Sequence, residues 1–110
     1  MEHRVQYLRD ENGHLVGCIA IKEHPARSGE HYALVEYRLS VRNPEDQFDK
    51  DVARQLALGR LVEAPFTVRV PARPNMHDVS AAVMKDISRD SGAPSRARRA
   101  AKNWLRKNWR

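Results

Sequence analysis

The sequence predicts an α+β fold: a three-stranded antiparallel meander, with a fourth strand available, packed with two to three helices in the order βββαβαα. Three observations lead there. Residues 4–41 alternate polar and apolar in three runs, separated by Asn12-Gly13 and by the segment PARSGE. Beyond Asn43 the apolar spacing lengthens to a helical period, interrupted at Pro65, Pro71 and Pro74. The last eighteen residues, APSRARRAAKNWLRKNWR, hold seven cations and no acid.

Each element follows from local chemistry. RVQYL (4–8) alternates as a half-buried strand does, and Asn12-Gly13 is the strongest short hairpin signal, since a two-residue turn asks for positive φ at both positions. LVGCIAIK is a second strand rich in β-branched residues. PARSGE supplies proline and glycine for a looser turn, and HYALVEYRLSV is the longest strand. A two-residue turn at Asn12-Gly13 sets Val5 against Ala20 and Tyr7 against Cys18. A second hairpin centred near Arg27-Ser28 sets Cys18 against Tyr37 and Ala20 against Val35. One face then carries Val5, Tyr7, Val16, Cys18, Ala20, Val35, Tyr37 and Leu39, a continuous apolar surface.

NPEDQF opens the first helix, with Asn43 as N-cap and Pro44 in the first turn, or with Asp49 as the cap and Phe48 stapling from outside. The helical stripe is Val52, Ala53, Leu56, Ala57 and Leu61. Gly59 within it costs about 1 kcal/mol relative to alanine, which suggests close approach of another backbone or an early end. Pro65 stops this helix, and FTVRV alternates as the fourth strand. Asn75 caps a second helix with the stripe Met76, Val79, Val83 and Ile87, and Gly92 suits the position just past its end. Ala93-Pro94-Ser95 restarts the chain as a third helix. Residues 1–92 are expected to form a single α+β domain, and 93–110 a basic amphipathic helix docked on it or extending from it.

Charge is distributed unevenly. The chain has 20 Lys+Arg against 14 Asp+Glu, and removing the seven terminal cations leaves 13 against 14 in residues 1–92. All of the excess positive charge therefore sits at one end. On a helical wheel Lys102, Arg106, Arg99, Arg110, Arg96 and Lys107 fall between roughly 80° and 220°, opposite Trp104, Ala97, Ala101 and Leu105. Such a ridge suits closely spaced phosphates, because each neutralised phosphate releases a counterion. The expected nucleic-acid-binding set is Arg96, Arg99, Lys102, Arg106, Lys107 and Arg110, with Trp109 stacking on an exposed base. Complementing the helix dipole needs only one or two cations in the last turn. The apolar arc, mostly alanine, is too thin for strong membrane insertion.

Other candidates have simpler explanations. His3, His24 and His31 approach one sheet edge and are read as surface histidines, with no metal site expected. Cys18 is read as a small core residue. A lone cysteine leaves no internal disulfide and fits a reducing cytoplasm. The acids Glu45, Asp46, Asp49 and Asp51 stabilise a helix start, and are the candidate contacts if the partner is a protein. No apolar run reaches membrane-spanning length. The motifs of P-loop, dinucleotide-binding and Ser-His-Asp chemistry are missing, so neither an enzyme nor a cofactor is expected.

Within FDKDVARQLALGRL, residues Phe48, Ala53, Arg54, Leu56, Ala57, Gly59, Arg60 and Leu61, with Asp46 just before, form a pattern that resembles small accessory proteins of tailed bacteriophages. The resemblance covers about residues 5–62. It implies a viral origin and work in the bacterial cytoplasm on host nucleic-acid machinery or defence complexes. The resemblance does not extend to the basic tail, and two functions are expected, the first from that tail and the second from the resemblance. One is non-enzymatic nucleic-acid binding through the terminal helix. The alternative is an inhibitor similar to anti-CRISPR proteins, whose basic helix blocks an acidic or nucleic-acid-binding surface of a host protein.

Overall fold

The computed structural model describes residues 3–43, 45 and 47–108. Four strands, β1 (His3–Arg9), β2 (Leu15–His24), β3 (Tyr32–Val41) and β4 (Phe66–Pro71), form one antiparallel sheet in the order β1-β2-β3-β4. Helix α1 (Lys50–Glu63) links β3 to β4, and α2 (Met76–Arg89) and α3 (Ser95–Asn108) follow. The α+β class and the order βββαβαα are as the sequence predicts.

The sheet is covered on both faces. Its central strand β2 is buried from Val16 to Ile21 with no polar interruption, so neither face can be left to solvent. Small residues look one way: Cys18 and Ala20 pack under Ala53, Ala57 and Leu61 of α1. Large ones look the other: Ile19, Ile21, Val35, Tyr37 and Leu39 meet Val79, Val83 and Ile87 of α2 and Ala97, Ala100 and Ala101 of α3. Small side chains on both sides let α1 approach the sheet closely. Ser40 Oγ then donates to the Ala53 carbonyl at 3.0 Å, and the Arg60 guanidinium donates to the Leu39 carbonyl at 2.9 Å.

The β1–β2 register is the expected one, with Val5 opposite Ala20 and Tyr7 opposite Cys18. The turn that produces it differs. Asp10 and His14 close the loop, Gly13 alone takes a positive φ (84°), and Arg9 pairs with Leu15. Leu8 nevertheless pairs with Gly17, so Val16 is an extra residue in a bulge that restores the register.

The β2–β3 register corrects the expectation. Cys18 lies opposite Ser40, Ala20 opposite Arg38, and Tyr37 opposite Ile21. The turn runs Arg27–Glu30, closed by the Glu30 amide donating to the Arg27 carbonyl at 3.0 Å, with Gly29 at φ 86°. Only glycine takes that conformation without strain. The hairpin is thereby centred on Gly29 and not between Arg27 and Ser28. The resulting shift of three positions, an odd number, moves Val35, Tyr37 and Leu39 to the face opposite Cys18 and Ala20.

The helices carry smaller corrections. Asp49, not Asn43, caps α1, accepting from the amides of Asp51 (3.0 Å) and Val52 (3.2 Å). Val52 and Leu56 do not join the buried stripe: they remain 51% and 48% exposed, because the contact is centred on Ala53 and Ala57. Gly59 has open space around it and α1 runs past it to Glu63, so neither reason suggested for it holds. Asn75 caps α2 in a full capping box with Asp78, but Met76 is 69% exposed, since it precedes the turn that meets the sheet. Asp90, in an extended conformation, ends α2, and Gly92 has no positive φ.

Candidate nucleic-acid interface

Helix α3 is built to lie flat. The Ala93 amide donates to the Asp90 carbonyl, and the Arg98 amide to the Pro94 carbonyl, both at 3.1 Å, so a tight link turns the chain from α2 straight into α3. Ala97, Ala100 and Ala101 are 0–3% exposed against the larger core, and Trp104 and Leu105 are half-buried beside them. The buried arc reaches Ala100 and is therefore wider than the wheel suggested. His77 of α2 lies 5.7 Å from Trp104, ring centre to ring centre.

The solvent face carries Arg99, Lys102, Arg106 and Lys107, all exposed. At about 1.5 Å of rise per residue, Arg99 and Arg106 stand about 10 Å apart along the axis, with Lys102 between them. The Arg106 guanidinium is steadied by Asn103 Oδ1 at 2.6 Å. α3 has no acid in its first turn or anywhere along its length, so its cations meet no counter-charge from their own helix.

Arg96 is different. It is half-buried and its guanidinium donates to the Arg42 carbonyl at 3.0 Å, while Arg42 Nε donates to the Leu15 carbonyl at 3.0 Å. Together they tie α3 to the ends of β2 and β3. Arg96 also borders a small depression with Asp10 and Glu11 of the β1–β2 turn. Asp10 is held below the usual carboxylate range, chiefly by the backbone N–H of His14 and further by the amide of Asn12 and the charges of His14 and Arg96. Arg96 is thus a clamp on the body, and the helix presents four cations to solvent among the described residues. Arg110 and Trp109 lie outside the described residues.

The other predicted residues fall elsewhere. Asp49 is committed to the α1 cap, Glu45 and Asp51 are exposed nearby, and Asp46 lies outside the described residues. Asp49 and Asp51 belong to the start of α1, which packs on the face of the sheet opposite α3. His24 Nε2 is hydrogen-bonded to Glu36 Oε1, and among the described residues no group of three His, Cys, Asp or Glu side chains is arranged to hold a metal. Cys18 is fully buried, which pushes its thiol up to about 11. Asp10 and Arg42, which border the ridge, escaped the sequence reading because no local pattern connects residue 10 or 42 to residue 96.

Ala53, Ala57, Leu61 and Arg60, which carry the resemblance in α1, serve its packing on β2 and β3. No known family model, curated protein or solved structure matches the chain. Among the described residues, no helix is long and apolar enough to cross a membrane.

Proposed function

We propose that this protein is a non-enzymatic nucleic-acid-binding accessory protein that contacts phosphates through Arg99, Lys102, Arg106 and Lys107 of α3. One observation carries the reading: a helix packed through alanines turns four exposed cations, unopposed by any acid on that helix, toward solvent. A row of such charges on a rigid support gives affinity independent of base sequence and sensitive to salt.

Titration of a random duplex across a salt series tests it. Six contacts, the full sequence-derived set, would give a log–log slope near −5; the four exposed cations give about −3.6. Lys102→Glu with Arg106→Glu should abolish binding without unfolding the protein. Failure to bind any nucleic acid at low salt would end this reading.

A second reading has a separate observation in its favour. Helix α1 leaves Val52 and Leu56, one turn apart on the same face, 51% and 48% exposed, exposed apolar surface of the sort found at protein contacts. On that reading α1 docks on a host nucleic-acid-handling or defence complex, and the ridge, on the opposite face of the sheet, blocks an acidic or nucleic-acid-binding surface of it. Val52→Asp with Leu56→Asp would then abolish inhibition while leaving nucleic-acid affinity unchanged.

A further inference from the structure

Between α3 and the β1–β2 turn lies a pocket of about 210 Å³. Its floor is apolar: Leu8 and Met84 are 1% exposed and Ala100 3%. The half-buried indole of Trp104 forms part of the lining, and the remainder includes Asn103, Lys107 and Asn108. A drug-sized ligand takes about 300–1,000 Å³, so this space suits one planar ring system. An apolar floor beside an aromatic wall, with amides, the cations Arg9 and Lys107 and the acid Asp10 around it, matches a nucleobase, which has two apolar π faces and an edge of donors and acceptors.

We propose that this pocket receives one unstacked nucleobase while the cations of α3 hold the flanking phosphates, so that the preferred ligand is single-stranded nucleic acid. The inference rests on the phosphate-binding reading of α3 and adds a base site to it. Three features join the two. Lys107 belongs both to the exposed ridge and to the pocket, so the phosphate and base sites are continuous. Asn103 uses its carbonyl oxygen for Arg106 and Asn108 uses its amide nitrogen for the Trp104 carbonyl. This leaves an N–H donor on the first and an oxygen acceptor on the second for a base edge. Asp10 also lines the pocket and is held anionic. Its Oδ1 is taken by the amides of Asn12 and His14, so Oδ2 is the oxygen that accepts from an exocyclic amino group, while Arg9 and Lys107 at the same pocket are the cations for the backbone. In a duplex the same base is stacked and paired, and would have to be extruded first.

The test compares three probes of equal length at one low salt concentration, read by fluorescence anisotropy: a single-stranded oligonucleotide, its fully abasic counterpart and the matching duplex. The intact single strand should bind about tenfold more tightly than the abasic strand, a gain within the range of one base stacked on an aromatic ring. Trp104→Leu should lower the intact strand to the abasic level and leave the abasic strand unchanged, and Trp104→Phe should keep most of the gain. In a Trp109→Phe background, the intact strand should quench Trp104 emission and the abasic strand should not. Should Trp104→Leu fail to fold, the quenching comparison decides alone. Equal affinity for intact and abasic strands without quenching would overturn the base site while leaving the ridge standing. Tighter binding of the duplex would overturn the single-strand preference. Failure of all three probes to bind would remove the ridge reading and the pocket with it.

Discussion

Tyr37→Phe isolates the hydrogen bond that ties β3 to α2. Tyr37 sits mid-way along β3, fully buried, its ring edge-on to Phe66 at 5.6 Å. Its hydroxyl donates to Asp86 Oδ2 of α2. Burial, and next the bond to Asp86, hold the hydroxyl far above the ordinary tyrosine pKa. The substitution removes one O–H and keeps the ring, so packing is preserved. A hydrogen bond to a charged group contributes about 1.5–3 kcal/mol. Asp86 is half-buried and lines an open cleft with Lys85 and Arg89, so water replaces part of the lost bond. The expected loss is about 1–2 kcal/mol, measured by urea unfolding, with a melting shift of about 4–8 °C per kcal/mol. Asp86→Ala and the double variant should reveal a coupling of about 1 kcal/mol. Alkaline titration adds an independent readout. Because the folded-state pKa is raised, this stability is complete below about pH 10 and falls above it by about 1.4 kcal/mol per pH unit, as the unfolded chain ionises first. Tyr37→Phe should lack that slope. A variant as stable as the parent, with the same alkaline slope, would refute the tie.

Three further outcomes are expected. The Cys18 thiol, pushed up to about 11 by burial, should resist a thiol reagent at pH 8 until urea unfolds the protein. Its stabilising contribution should fade as pH rises from about 9 to 11, and rapid labelling of the folded protein would contradict its burial. Gly17→Ala and Gly59→Ala should have opposite signs: a methyl at Gly17 would meet the Ser40 carbonyl oxygen at 2.7 Å, whereas Gly59 has nothing within 4 Å. Urea unfolding should record a loss of about 1–3 kcal/mol for the first and a gain of up to about 1 kcal/mol for the second. Deleting residues 93–110 should abolish cooperative unfolding by circular dichroism, because Ala97, Ala100 and Ala101 complete the larger core; a cooperative 1–92 fragment would make α3 an appendage.

The consequence for function is a narrower and firmer ridge. Seven cations share the terminal segment, yet the body uses Arg96 as a clamp and turns Arg99, Lys102, Arg106 and Lys107 outward. A helix anchored along its alanines holds these charges at set spacings, which on the proposed function lowers the ordering cost of meeting phosphates.

The sequence by itself determined the element order and the sign of the ridge; it matched the β1–β2 register only because a bulge at Val16 offsets the longer turn. Alternation and helical spacing are local properties, and Pro65, Asn75 and Gly13 act where they stand. Only the tertiary structure decided which face of β3 joins Cys18 and which joins Ile19. β2 is apolar in both parities, so its pattern accepts either register, and a loop of mixed turn residues leaves the centre open until Gly29 takes its positive φ. Only the structure, likewise, separated the clamp Arg96 from its neighbours on the wheel and brought the residue-10 turn against α3. A wheel records direction about one axis. Which directions are solvent is decided by elements far away in the chain, and that long-range packing also made the pocket beside Trp104.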